Sequence, residues 1–171
     1  MKLTLDTNCI IELEQNSPVA LSLQRLIFLH NNQKINLRVA AISASERKPD
    51  GTYASNFAEF QQKIAAVGLG NVEILAPIAY SGITFAERCL AADDEMIELE
   101  RKIQEVLFPK IDFDYETHND DPNNDNINVK RRNAKCDVLA MWCHIAYDGD
   151  IFITSDRNFF RKTKKPHLIA L

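Results

Sequence analysis

The chain has 171 residues, near the ~150 of one ordinary domain, and its 46% hydrophobic share suits a globular fold with its own core. No apolar run reaches the ~18 residues of a membrane span, and the opening Met1 to Asp6 is too short and too acidic for a secretion signal, so a cytoplasmic protein without a membrane partner is expected. The formal charge of -4 disfavours nonspecific polyanion binding, yet Asp and Asn gather in 112–125 while Lys and Arg gather in 130–135 and 157–165, so a basic face is compatible with an acidic total.

Lys2 to Leu5 is a short apolar run ending at Asp6 and predicts a buried strand. Thr7 to Glu14 has helical spacing through Cys9, Ile10 and Leu13. Ser17-Pro18 predicts a helix start, with Ser as cap and Pro at the first position. The following helix is expected to turn Leu21, Leu26, Ile27 and Leu29 inward. Ile35 to Ile42 predicts a second strand. Ser43 opens a helix interrupted near Pro49-Asp50-Gly51, resumed over Tyr53 to Val67 and ended by Gly68 to Gly70.

Val72 to Leu75 predicts a third strand. Phe85 to Phe108 reads as one long helix with charge pairs such as Glu98 with Lys102, ended by Pro109. Residues 110–129 lack apolar periodicity and predict a polar loop. Asn133 to Tyr147 predicts a helix burying Val138, Met141, Trp142 and Ile145. Asp148-Gly149 is a turn, Ile151 to Thr154 a fourth strand, and Asp156 starts a short helical segment with Phe159 and Phe160. Leu168 to Leu171 reads as a last strand. Cys9, Cys89, Cys136 and Cys143 form no CxxC pair or zinc framework, and are expected to be free thiols acting as small apolar groups.

Strands alternating with helices predict a three-layer α/β/α domain with a mostly parallel central sheet. Ligands of such sheets sit outside the carboxyl ends of the strands. Asp6, Glu46 and Asp156 each fall just beyond a predicted strand, and Asp137 near the start of the helix feeding the fourth strand. Four carboxylates in one cleft repel one another and recruit a cation. Hard oxygen ligands select Mg²⁺ or Mn²⁺, ions that activate water and neutralise phosphoryl charge, alone or paired ~3.5–4 Å apart. No protein nucleophile with an adjacent base is evident.

Each acid also has a structural reading. Ser43-Ala-Ser-Glu46 fits a capping box. Asp156 and Asp6 would serve as helix caps, and Asp137 would favour a helix N-terminus. Their joint placement at strand ends carries the functional reading.

The motifs resemble those of the PIN-domain family. Leu3-Thr-Leu-Asp6-Thr-Asn8 is similar to the family's opening strand and first metal-binding Asp. Val39-Ala-Ala-Ile-Ser-Ala-Ser-Glu46 is similar to the motif that supplies a Glu. Cys136-Asp137 opening an apolar helix is similar to the third motif, and Ile151-Phe-Ile-Thr154-Ser-Asp156-Arg-Asn-Phe159 to the fourth. The order is the family's, and the resemblance covers almost the whole chain. It implies a PIN-like fold over 1–171 and a metal-dependent ribonuclease. By it, Asp6, Glu46, Asp137 and Asp156 are catalytic ligands of Mg²⁺ or Mn²⁺, with Asn8 and Thr154 orienting them.

Many small members, the VapC-like proteins, are toxins of toxin–antitoxin pairs. The resemblance therefore implies an RNA substrate and an antitoxin or other regulatory protein. The chain is longer than the compact toxin pattern and carries a polar insertion at about 109–130. Apolar residues in the first two helices would suit a homodimer.

Lys130, Arg131, Arg132 and Lys135 precede Asp137, and Arg157 and Arg161 follow Asp156. These are candidate phosphate contacts, or else a solvated charged face. A haloacid-dehalogenase reading wants an Asp where Asn8 stands. Nucleotide loops of the GxGxxG or GxxxxGK[ST] type are absent. An EF-hand in 112–125 lacks its Gly and Glu. A catalytically silent RNA- or protein-binding module of the same fold remains the alternative.

Overall fold

The structure, a computed structural model, describes residues 1–46, 56–111 and 125–171. The predicted break at Pro49-Asp50-Gly51, the helix start at Tyr53 and residues 112–124 of the insertion lie outside them. The described elements run β1 (Lys2–Leu5), α1 (Thr7–Glu14), α2 (Ala20–Asn31), β2 (Asn36–Ala40), a 3-10 turn (Ala41–Ser45), α3 (Phe57–Ala66), β3 (Glu73–Leu75), a second 3-10 turn (Ala86–Arg88), α4 (Asp94–Leu107), α5 (Asp125–Ala146), β4 (Ile151–Ile153) and α6 (Lys165–Ile169).

The four strands form one all-parallel sheet in the order β3-β2-β1-β4. Alternation of side chains along each strand sorts the core into two halves. Leu3 and Leu5 of β1, with Leu37 and Val39 of β2, pack against α1, α2 and α3 through Ile10, Leu23 and Phe60. On the opposite face Ala40 and Leu75 pack against α4, α5 and α6 through Ile103, Trp142 and Leu168. Helices thus cover both faces in a three-layer arrangement, with Thr4 of β1 and Arg38 of β2 buried among the apolar strand residues. Trp142 is buried, and its indole N–H donates to Met96 O of α4 at 3.1 Å. A paired N–H lets so large a ring enter the core.

Several elements differ from expectation. The helix after Ser17-Pro18 begins at Ala20, two residues beyond the expected start, while Ser17 Oγ accepts from Val19 N at 3.2 Å as a cap would. It turns Ala20, Leu23 and Ile27 inward, while Leu21 is 60% exposed and Leu29 lies at the surface. The long helix predicted from Phe85 is two elements. Leu90 bridges to Ile78, and Asp93 caps α4 by accepting from Met96 N at 2.8 Å. A good cap at that position starts the helix later than periodicity alone implies. The Glu98–Lys102 pair does form, at 3.7 Å. Residues 125–132 are helical, so α5 begins well before Asn133. The final segment is the short helix α6, with Pro166 in its first turn, in place of a strand. Cys9, Cys136 and Cys143 are buried free thiols and Cys89 is half-buried and free. Among the described residues no helix is long and apolar enough to cross a membrane.

Candidate metal centre

The chain steps outward from β1 to β2 to β3, then returns to place β4 on the other side of β1. That reversal is a topological switch point at the carboxyl ends of β1 and β4, the place where open parallel sheets bind ligands. Asp6 directly follows β1, and Thr154 and Asp156 follow β4.

Asp6 is 1% exposed. Its Oδ1 accepts from Thr7 N at 2.8 Å, so it caps α1. Its Oδ2 accepts from Asn8 Nδ2 at 3.1 Å and from Thr154 Oγ1 at 2.6 Å. Thr154 Oγ1 in turn accepts from Asp156 N at 2.9 Å. The cap and the candidate ligand are therefore the same carboxylate, fixed from two strands. Burial raises its pKa, the Thr154, Thr7 and Asn8 bonds oppose this, and the charge of Asp156 adds to it.

Glu46 is held differently from the capping-box reading. Ser43 lies inside the 3-10 turn and Glu46 follows that turn in extended conformation. Its Oε1 accepts from Thr7 Oγ1 at 2.5 Å, and the same hydroxyl is hydrogen-bonded to Ser43 Oγ at 2.8 Å. A side chain from α1 thus aims it toward Asp6. Burial, then the Asp6 charge, pushes the Glu46 carboxyl up to about 8, with Thr7 and Lys63 opposing. The sequence reading gave Ser43 only a capping role and gave Thr7 no part in holding Glu46. The signal for Thr7 was a hydroxyl directly after the first acid.

Asp137 lies in the middle of α5, so the helix-terminus reading does not apply. No hydrogen bond to its carboxyl forms among the described residues. Burial raises its pKa well above the ordinary value, and the charges of Glu46, Asp6 and Asp156 raise it further. Asp156 does not open a helix. Its Oδ1 accepts from Asn158 N at 2.8 Å within a turn.

The four acids thus share one electrostatic field. Within that field the cation acting on Glu46 is Lys63, itself paired with Glu14 at 3.0 Å. An all-oxygen, partly desolvated set with unrelieved repulsion fits a hard divalent cation. Among the described residues, no three acidic, histidine or cysteine side chains close a cage around a point. The carboxyls act on one another's titration, and coordination of an ion would require their convergence.

The candidate phosphate contacts divide. Lys130, Arg157 and Arg161 are exposed and Arg131 is half-buried. Arg132 is engaged with the protein. Its guanidinium donates to Ser45 O at 3.1 and 3.2 Å and to Gly82 O at 2.5 Å, which anchors the turn before Glu46. Lys135 is 3% exposed, paired with the buried Glu100 at 2.5 Å and seated over the Tyr80 ring at 3.9 Å. It is a core residue, because desolvating a lysine requires just such a partner. Compared with protein-family models, with curated proteins and with solved structures, the chain matches none, so the functional reading rests on its own residues and geometry.

Proposed function

We propose that this chain is a metal-dependent endoribonuclease of PIN-like fold, using Asp6, Glu46, Asp137 and Asp156 to hold Mg²⁺ or Mn²⁺ and hydrolyse phosphodiester bonds. One observation carries the reading. Carboxyls from β1, the turn after β2, α5 and the turn after β4 lie within one field at the sheet's switch point, and three have raised pKa values. Such clusters of perturbed groups are a mark of functional sites. A bound divalent ion would supply activated water and charge neutralisation at the phosphoryl group.

The chain's own groups do the positioning. Thr154 and Asn8 hold Asp6 Oδ2, and Thr7 N holds Oδ1. Thr7 Oγ1 holds Glu46 Oε1, and Arg132 holds the turn that presents Glu46. Glu46 keeps a proton at neutral pH until a cation replaces it, since its pKa stands at about 8. Arg157 and Arg161, exposed beyond β4, would meet the phosphates.

The test is direct. The purified chain is incubated with a mixed RNA pool and Mn²⁺, Mg²⁺ or EDTA, beside Asp6→Asn. Cleavage that needs metal and vanishes in the variant is expected. RNA binding without turnover under any metal would favour the second reading, a catalytically silent PIN-like binding module, which the open cage keeps in view. Equal cleavage by both proteins would remove Asp6 from the mechanism.

A further inference from the structure

A groove of about 570 Å³ runs along the open side of β4, with α5 on one flank and the segment ending in α6 on the other. Among the described residues β4 is an edge strand, with β1 as its one neighbour in the sheet order. The groove starts at Thr154, the residue whose hydroxyl holds Asp6, and ends at Asp150. Asp150 is occupied by the backbone N of Lys2 at 2.6 Å. The four residue steps of extended chain from Asp150 to Thr154 span roughly 13 Å.

The lining is apolar, with three phenylalanines and His144 set among aliphatic side chains such as Ile151, Leu168 and Ile169. Phe152 stacks against His144 at 5.4 Å and against Phe159 at 5.2 Å between ring centroids. Phe159 is buried, whereas Phe160, next in sequence and also lining the groove, is 52% exposed. An exposed phenylalanine beside a concave aromatic surface is unusual for a side chain whose burial contributes ~1.5–3 kcal/mol. The segment that carries it is basic, with Lys165 in the groove wall and Asp150 at the groove's far end. Residues 157–165 contain Arg157, Arg161, Lys162, Lys164 and Lys165 and no acid. Lys164 is tied to Leu107 O and Asn158 Oδ1, while Arg157, Arg161, Lys162 and Lys165 are exposed. Cations interleaved with aromatic rings are the composition of a single-strand nucleic-acid platform, with bases on the rings and phosphates on the cations.

We infer that this groove is a nucleobase subsite of the proposed nuclease, in which Phe160 stacks on an unpaired base next to the phosphate held at the Asp6–Thr154 end. The inference rests on the nuclease reading and deepens it, since it makes single-stranded RNA the substrate class. A base in a duplex would first have to unstack and unpair to reach Phe160, which favours an unpaired strand. Recognition is by stacking and backbone charge, which tolerates any base.

Binding and cleavage are read separately on the full chain. With EDTA present, the affinity for a short fluorescent single-stranded RNA is measured for the wild type, Phe160→Ala, Phe160→Leu and Phe160→Trp. An otherwise identical RNA with abasic positions is run beside it. Melting curves establish that each variant folds. Phe160→Ala and Phe160→Leu are expected to weaken binding of the intact strand roughly tenfold, the scale of one stacked base. Phe160→Trp restores binding, and abasic RNA binds all four proteins alike. Unchanged affinity in Phe160→Ala, or an equal loss on abasic and intact RNA, overturns the subsite. So does a self-association that Phe160→Ala abolishes without altering RNA affinity, which would make the groove a seat for a second protein strand. Metal-dependent cleavage alongside such a failure leaves the nuclease standing. Absence of cleavage with base-sensitive binding leaves the subsite standing and removes the nuclease.

Discussion

Thr154 Oγ1 donates to Asp6 Oδ2 at 2.6 Å, joining the ends of two neighbouring parallel strands through a single hydroxyl. The same oxygen accepts the Asp156 N–H. One side chain therefore orients the first acid and braces the turn that carries the fourth.

Thr154→Val keeps the shape and removes both bonds. Groups that orient ligands typically contribute 10- to 100-fold in metal affinity or activity, and a decrease of that order in metal-dependent cleavage is expected. Thr154→Ser should retain most of it. Wild-type cleavage by the valine variant would show that Asp6 needs no such support.

The raised pKa values set a stability profile. A carboxyl whose folded pKa exceeds its unfolded one binds more protons when folded, so stability falls as pH rises between the two values. For Glu46 that window runs from 4.5 to about 8, and Asp6 and Asp137 shift the same way. The metal-free chain should lose melting temperature across that window. Added Mn²⁺ should raise the melting temperature more at the upper end, where no protons compete for the site. Glu46→Gln should flatten both trends. His144 acts at the other side, because burial lowers its pKa from 6.5 to about 4 and its contribution is lost as pH falls through that range. A metal response independent of pH would count against carboxylate ligation.

The basic residues should separate by experiment as they do in space. Arg157→Ala and Arg161→Ala should each reduce the salt dependence of single-strand binding by about 0.7 in log–log slope, with little change in stability. Lys135→Ala strands the buried Glu100 and should cost about 3–5 kcal/mol on unfolding, read by urea denaturation. A stable Lys135→Ala variant with weakened RNA affinity would reverse that assignment.

Leu21 and Phe28 stand 60% and 66% exposed on α2, one heptad apart and so on one face. If the chain pairs with itself through them, Leu21→Glu with Phe28→Glu should convert a sedimenting dimer to a monomer. An unchanged sedimentation coefficient would exclude that face.

The parts legible in the sequence were those where local pattern and tertiary demand agree. Short apolar runs shortly before an acid marked β1 and β4, which end at Leu5 and Ile153. The start of α5 was hidden because residues 125–132 carry no apolar stripe. Leu168 to Leu171 was misread because a short apolar run does not distinguish strand from helix. Ser43 to Glu46 matched a cap motif perfectly well, yet Thr7, from a distant element, engages the carboxylate. Lys135 looked like a surface cation because its partner Glu100 sits on another helix. Sequence spacing marks what neighbours along the chain can do and is silent on partners that folding brings from elsewhere.

The strand order has a consequence in time. β1 must wait for β4, whose Thr154 lies 148 residues later than Asp6. At ~5–20 residues per second of synthesis, that delay is roughly 7–30 s. Throughout it, Asp6 lacks the hydroxyl that aims it and the switch point lacks β4. On the proposed nuclease reading, a growing chain still attached to its ribosome would be inert until β4 emerges and docks, a latency that would spare the RNA of the machine producing it.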